Sequence, residues 1–483
     1  MKQPPSAFAQ PAVTDFTRSP ASACRGTPSS SSNCMYNNNS SRQKLITQSI
    51  VRNLIIGCCM PVSIVDNEYF RTFLADIDPK YVPPCRQSVT TSLIPKLVAD
   101  RKEAVQKEVD ECSAVALKTD IWTDRRQHSY MAVTSHSLVA GDPCSRLLAF
   151  KSVKGSHTGQ RICDELDTAV SDYGIKDKVR FVVTDNASNM INAMCLFFPS
   201  PEQDEQSFEP CVDDSSLWGD LSESETDDAF STSGSRLACF CHSLQLVVRG
   251  GLDKFTSCRS ALAKVSKLAN IVYQSALFRA AFKEHFGQGK TVPASNDTRW
   301  NSVYRQIEAV VELDQLRLLD VLQETSHENW IMNAKELAQL QELVSLLTPF
   351  AEATDLTQGD KTITVSCVVP TILTLRRLLF EQQRSVTYHR SAVDELIKQI
   401  DSRFYDLLCQ LQIAPTQPRS SNSLTFDSDV FLMAAALDPR YAFHWLIDHP
   451  GSQEDKNALR HQIIGKLLLV FKYRLCLMLL IFC

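Results

Sequence analysis

Between Ser113 and Phe240 the chain switches its hydrophobic period from helical to alternating, and after Phe240 it never switches back. The runs "SAVALKTDIW", "SYMAVTSHSLVA" and "SRLLAFKSV" are rich in β-branched and apolar residues. Short polar turns join them, one of which holds Gly141 and Asp142. This pattern predicts three consecutive antiparallel strands. "TGQRICDELDTAVSDYG" has one apolar stripe at helical spacing and stops at Gly174. "KVRFVVTD" then predicts a fourth strand, "NASNMINAMCLFF" a helix and "RLACF" a short fifth strand. Two strands end on an acid, Asp120 in the first and Asp185 in the fourth. An acid at a strand end is commonly a turn or cap residue. Two of them in this strand order raise the question of a shared site.

The flanks read differently. Residues 1–42 are dominated by Ser, Asn and Pro, too polar to bury a core, and are expected to be a disordered arm. Residues 43–111 predict a helical region of three helices. Asp66 or Asn67 is a candidate cap for the second, and Pro95 bends or begins the third. The first part of the sheet-bearing core is expected over 112–199 and its fifth strand over 236–245. From 246 to 475 almost everything predicts helix, with no fixed-period repeat. The end of the chain, 476–483, is an apolar eight-residue tail, too short to span a bilayer, and is expected to mark a truncation.

Charge narrows the partners. The net charge is −5, which alone argues against a nucleic-acid binder. Eleven of the acids fall between residues 200 and 235, where there is no Lys or Arg. Without those eleven the rest of the chain carries +6. The segment is expected to be a disordered acidic linker, because its acids repel one another and cannot be buried unpaired. A mildly basic body can bind DNA. The seventeen cysteines are scattered, odd in number and never spaced Cys-x-x-Cys, which fits a reducing compartment better than a disulfide framework. No secretory leader or membrane span is expected.

The strand order, with a helix between the third and fourth strands, matches a ribonuclease-H-like core (β-β-β-α-β-α-β). In that fold the first- and fourth-strand carboxylates lie side by side and can hold two divalent ions for phosphoryl transfer. Five stretches in order, "LKTDIWTDRRQHSYMAVTSH", "FVVTDNASNM", "LACFCHSLQLVV", "NDTRWNS" and "AAALDPRY", resemble the hAT transposase family. The resemblance is to its domesticated, BED-finger-associated relatives and covers roughly residues 43–465. It implies an α/β core interrupted by a large all-helical insertion domain, preceded by an N-terminal helical region.

The resemblance also assigns roles. The family's first two catalytic carboxylates map onto Asp120 and Asp185, its Cys-x-x-His motif onto Cys239 and His242, and its Arg-Trp pair onto Arg299 and Trp300. That pair handles flipped bases: an indole stacks on an unpaired base and a guanidinium pairs with phosphate. Without the family, Trp300 reads as a core aromatic, and Cys239 and His242 as a core thiol and imidazole. No structural zinc is expected, since two ligands without a second pair make no zinc site. Two elements of the family pattern are missing: the Glu of a Ser-Glu-Arg-type stretch after the insertion, and the BED finger itself. The segment that supports dimerisation in the family is not found either.

The expectation is therefore a catalytically inactive nuclear protein that binds DNA, weakly or without sequence preference, and acts in transcription. Protein partners would meet it through the helical domain. Asp120 and Asp185 would be a vestigial, incomplete metal site, with no cofactor unless Mg²⁺ or Mn²⁺ found a complete ligand set. The alternatives are a helical interaction scaffold that does not touch DNA, or an active transposase or nuclease with a substitute third acid.

Overall fold

A computed structural model describes residues 35–124, 126–198, 236–294, 300–358, 364–418 and 426–472. The expected acidic linker, most of the expected arm and the expected apolar tail lie outside the described residues. The chain divides into two compact units, Met1–Glu103 and Ala104–Cys483.

The first unit is helical. Its first helix, Ser41–Ser49, starts where Ser40 accepts a hydrogen bond from the Gln43 N–H. Gln43 is buried, donating to the Val82 carbonyl at 2.6 Å and accepting from the Val82 N–H at 3.2 Å. Both ends of its amide are thus satisfied, as a buried polar group requires. The Tyr36 N–H donates to the Lys80 carbonyl. Residues 35–42, expected in the arm, therefore belong to this unit. Asn67 caps the helix Glu68–Ile77 by accepting from the Phe70 N–H at 3.0 Å. A wide-turned segment, Val89–Leu93, precedes Pro95 in the next helix. Proline has no N–H and its ring crowds the carbonyl four residues back, so a loosened turn there removes the conflict. Ile50, Val51, Ile55, Val65, Tyr81 and Val89 form the core of this unit.

The second unit holds a five-stranded sheet: β1 (Val115–Thr123), β2 (Ser129–Val139), β3 (Asp142–Val153), β4 (Val179–Thr184) and β5 (Arg236–Ala238). Their order is β3-β2-β1-β4-β5. The first three strands pair antiparallel, and β4 lies parallel to β1 and β5. Ala140 and Gly141 both take positive φ in the β2–β3 turn, as a two-residue hairpin with right-handed strand twist demands. A parallel neighbour needs a crossover, and the helix Gly159–Ser171 supplies it between β3 and β4.

One sheet face packs Val115, Leu117, Val133 and Val182 against that helix and the next, Ser188–Phe197. The two helices approach so closely that a Cβ on Gly159 would sit 2.8 Å from Asn192 Cβ. On the other face, Phe181 and Val183 of β4 pack against a separate core belonging to the helices that follow.

Those helices begin earlier than expected. β5 ends at Ala238 and helix Phe240–Leu252 starts two residues later, so the fifth strand does not reach 245. The Phe240 ring meets Phe404 and Phe426 edge-on, at 5.7 and 6.3 Å. This joins the sheet to the helical core, each buried ring contributing roughly 1.5–3 kcal/mol of transfer free energy. Gly251 lets the same helix lie against helix Arg390–Arg403, since a Cβ there would fall 2.4 Å from Leu396 Cδ2. The described residues from 240 to 472 contain no strand. Among the described residues no helix is long and apolar enough to cross a membrane.

Candidate functional site

The β1–β4 register decides where the two acids meet. Lys118 pairs with Val183, so two residues further on Asp120 falls opposite Asp185. Alternation sends Val115, Leu117 and Thr119 into the sheet's helix-covered core and leaves Lys118 and Asp120 together on the other face.

The backbone under Asp185 is braced by Arg236 from β5. Arg236 Nε donates to Thr184 Oγ1 at 2.9 Å, and its Nη2 donates to the Asp185 carbonyl at 2.6 Å and to Asn186 Oδ1 at 2.9 Å. Burial pulls the Arg236 pKa down to about 10, against the pull of Asp185. The guanidinium thus spends these donors on the chain around Asp185. One carboxylate oxygen of Asp185 accepts from the Ala187 N–H at 3.2 Å. The Cys239 N–H donates to the Thr184 carbonyl at 2.7 Å, which brings the start of helix Phe240–Leu252 to the same strand end.

Electrostatically this is a crowded site. Burial, and then the charge of Asp185, push the Asp120 carboxyl above its ordinary range, against Lys118, the Ile121 N–H and His242. Burial holds His242 below the usual imidazole value, with Arg403 adding to the effect and the two acids opposing it. Cys239 is brought down to about 7, chiefly by its hydrogen bond with Cys241 and against its own burial; Lys118 assists and Asp120 opposes. Cys241 is correspondingly raised, and its sulfur lies 3.1 Å from Thr357 Oγ1.

Asp120, Asp185, Cys239 and His242 are therefore neighbours in the fold. Sequence reading missed Lys118, Arg236, Cys241 and Arg403. The alternation of β1 carried a signal for Lys118, and the Cys-x-Cys spacing one for Cys241. Arg236 carried none, because its partners are main-chain and side-chain atoms some fifty residues back. Trp300 opens helix Trp300–Val311 and is buried in the helical core, edge-on to Tyr304 at 6.1 Å. Its indole N–H has no partner among the described residues. Arg299 lies outside the described residues.

The donor set can be tested against a metal. Two carboxylates suit a hard divalent ion, but the groups around them are the His242 imidazole, thiols and the cations Lys118, Arg236 and Arg403. Among the described residues no three His, Cys, Asp or Glu side chains are arranged to hold an ion.

Comparison with known proteins agrees with this geometry. The model of the ZBED1 RNase-like domain matches residues 118–198, the segment that carries both acids. A Zea mays protein named as an AC transposase is 24% identical over 309 residues, covering 62% of this chain and 35% of the relative. Human zinc finger BED domain-containing protein 4 is 21% identical over 436 residues, 85% of this chain and 32% of its own length. A Talaromyces stipitatus protein named as a transcriptional regulator is 28% identical over 136 residues, 27% of this chain and 16% of its own. The chain spans about a third of the length of the first two of these relatives. The resemblance read from the motifs is borne out: the chain is similar to hAT-type transposases and to a BED-finger protein.

Proposed function

We propose that this chain is a catalytically inactive, transposase-derived nuclear protein whose ribonuclease-H-like core is interrupted by the helical body, and that it binds DNA or chromatin-associated partners in transcriptional regulation. The observation that carries the reading is the state of the acid pair. Asp120 on β1 and Asp185 just past the end of β4 lie close enough for their charges to interact, and what surrounds them is the His242 imidazole, two thiols and the cations Lys118, Arg236 and Arg403. Two-metal phosphoryl transfer needs a closed shell of anionic oxygen ligands to clamp the attacking and leaving oxygens. This set supplies one side of it. The names of the relatives, a transposase, a BED-finger protein and a transcriptional regulator, support the nuclear and DNA-directed part.

The test is direct. The purified chain should bind duplex DNA with an affinity that falls steeply with salt, because phosphate contacts release counterions. It should cleave and join no DNA in Mg²⁺ or Mn²⁺. Metal-dependent nicking that disappears in Asp120→Ala or Asp185→Ala would establish the enzyme instead. Absence of any salt-sensitive binding would leave the helical body as a protein scaffold.

A further inference from the structure

The acid pair leaves two thiols beside it unused. Cys239 and Cys241 stand at the start of helix Phe240–Leu252 with one helical residue between them. Helical rise and radius put such Cα atoms roughly 5.4 Å apart, inside the range of about 4.4–6.8 Å that a disulfide spans. Two fully helical residues at this spacing would point their side chains apart. Cys239 is not helical: it is the capping residue, with an extended backbone at ψ 113°. A side chain at that position folds back over the first helical turn, and the two sulfurs share a hydrogen bond. Phe240 between them is buried, whereas both cysteines are partly exposed.

A cysteine in a fold is ordinarily packing material. Cys163 and Cys258 are of that kind, buried and with thiols pushed up to about 11. The Cys239–Cys241 pair is different because it is asymmetric. Cys239 lies near 7 and is in large part thiolate at neutral pH, whereas Cys241 keeps its proton. What keeps it is first the hydrogen bond to Cys239, then burial, then the charge of Cys239. Oxidation of Cys239 to a neutral product removes the first and the third. One sulfur is therefore ready to react, and the second becomes ready once the first has reacted. The charge of nearby Asp120 disfavours an anionic oxidant, and the half-buried setting disfavours a large one. A small neutral peroxide meets both conditions.

We propose that Cys239 and Cys241 are a peroxide-reactive pair that closes to a disulfide at the head of helix Phe240–Leu252. The Cys239 thiolate attacks one oxygen of hydrogen peroxide, the O–O bond breaks and hydroxide leaves. The sulfur, oxidised by two electrons, becomes a sulfenic acid. The Cys241 sulfur then attacks the Cys239 sulfur, the S–O bond breaks, and the Cys241 proton leaves with that hydroxide as water. Two thiols and one peroxide thus give one disulfide and two waters. A ring with one intervening residue is tight, and tight disulfides are the readily reduced, regulatory ones. Closure draws on the Cys241 sulfur beside Thr357. It also stiffens the helix start that bonds, through the Cys239 N–H, to the Thr184 carbonyl next to Asp185. None of this chemistry depends on nucleic-acid binding.

Trypsin cuts after Arg236 and Arg249 and releases "LACFCHSLQLVVR", whose only cysteines are these two. The reduced full chain is treated with a small excess of hydrogen peroxide at neutral pH, denatured in N-ethylmaleimide and digested for mass spectrometry. The peptide should carry no maleimide and be two hydrogens lighter. Reduced glutathione added before the quench should restore both labels. "FTSCR", which carries Cys258, should stay labelled throughout. In Cys241→Ser, Cys239 should stop at the sulfenic acid, which dimedone traps. In Cys239→Ser, oxidation of Cys241 should slow by about tenfold or more, since the thiolate fraction sets the rate. The parent chain needs no substitution and decides the matter even where a variant fails to fold. Two maleimides on the parent peptide after peroxide overturn the pairing. So does sulfinic acid at Cys239 without a disulfide, or a bond from this peptide to any other cysteine. Oxidation of Cys241 at the parent's rate in a folded Cys239→Ser chain overturns it as well.

Discussion

Asp401 in the helical body is fully buried, Asp120 in the sheet keeps an exposed edge, and the fold treats the two acids in opposite ways. Asp401 has no exposed side-chain surface, and every direction of its carboxylate is answered. Arg376 donates from Nε at 2.7 Å and from Nη2 at 3.3 Å, and Thr416 donates its N–H at 2.8 Å and its hydroxyl at 2.6 Å. Asp438 is similar: Arg440 Nη2 lies 2.6 Å away and the Ser366 hydroxyl donates at 2.6 Å. Although burial works against it, those bonds hold the Asp438 carboxyl down at about 2. Asp120 instead has a second acid opposite it, and its carboxyl is raised. A satisfied buried acid holds a structure together. An acid held against another acid is a standing cost, and sites that carry such a cost are commonly functional.

The largest effect that could break this contrast is in the helical body. Arg376→Ala leaves the Asp401 carboxylate buried without its cation, which should cost roughly 3–5 kcal/mol of stability. Denaturant unfolding measures it, and a loss below about 1 kcal/mol would mean the pair is no anchor. Replacing the pair together by apolar residues of similar volume should cost far less than either single change.

Asp120→Asn should act in the other direction and raise the melting temperature at neutral pH. The sign follows from linkage. A carboxyl whose folded pKa lies above the ordinary 3.8 binds protons more readily in the folded chain. Stability contributed by the protonated form is therefore present below 3.8 and lost as pH rises through the folded pKa. Asn carries no such titration, so the gain should be seen at pH 7 and vanish below 3.8. Melting curves across that range that coincide for parent and variant would show that the acids do not strain one another.

The smallest effect is chemical. With its thiol near 7, Cys239 should be alkylated by iodoacetamide with a midpoint close to that pH. Cys258, which burial raises to about 11, should stay unlabelled in the folded chain. Peptide mapping by mass spectrometry follows both residues. In Cys241→Ala the Cys239 midpoint should rise, because the hydrogen bond that lowers it is gone. An unchanged midpoint would place the cause elsewhere.

Much of this architecture was legible residue by residue. Strand alternation in "AVALKTDIW" follows from burying one face of a pleated ribbon, and that alone put Asp120 on the other face. Asn67 and Gly174 announce a helix start and stop because their local backbone demands are short-range. The order of elements before and after Phe240 needs only periodicity. Residues 35–42 were misjudged because their anchor, the bond from Tyr36 to Lys80, joins positions distant in sequence.

What the tertiary structure alone decided is which groups share a field. Nothing near Asp185 in the chain says that Arg236 braces its backbone, that Cys241 reaches Thr357, or that Phe150 closes a ring cluster with Trp122. The first and the last depend on parallel pairing or cross-strand register, which is set by the burial of whole faces rather than by any single residue, and the Cys241 contact depends on the packing of two helices. The same holds for charge. The sequence named two acids at strand ends, but whether an acid is answered by an arginine or set against another acid depends on neighbours that only packing brings within a few ångströms.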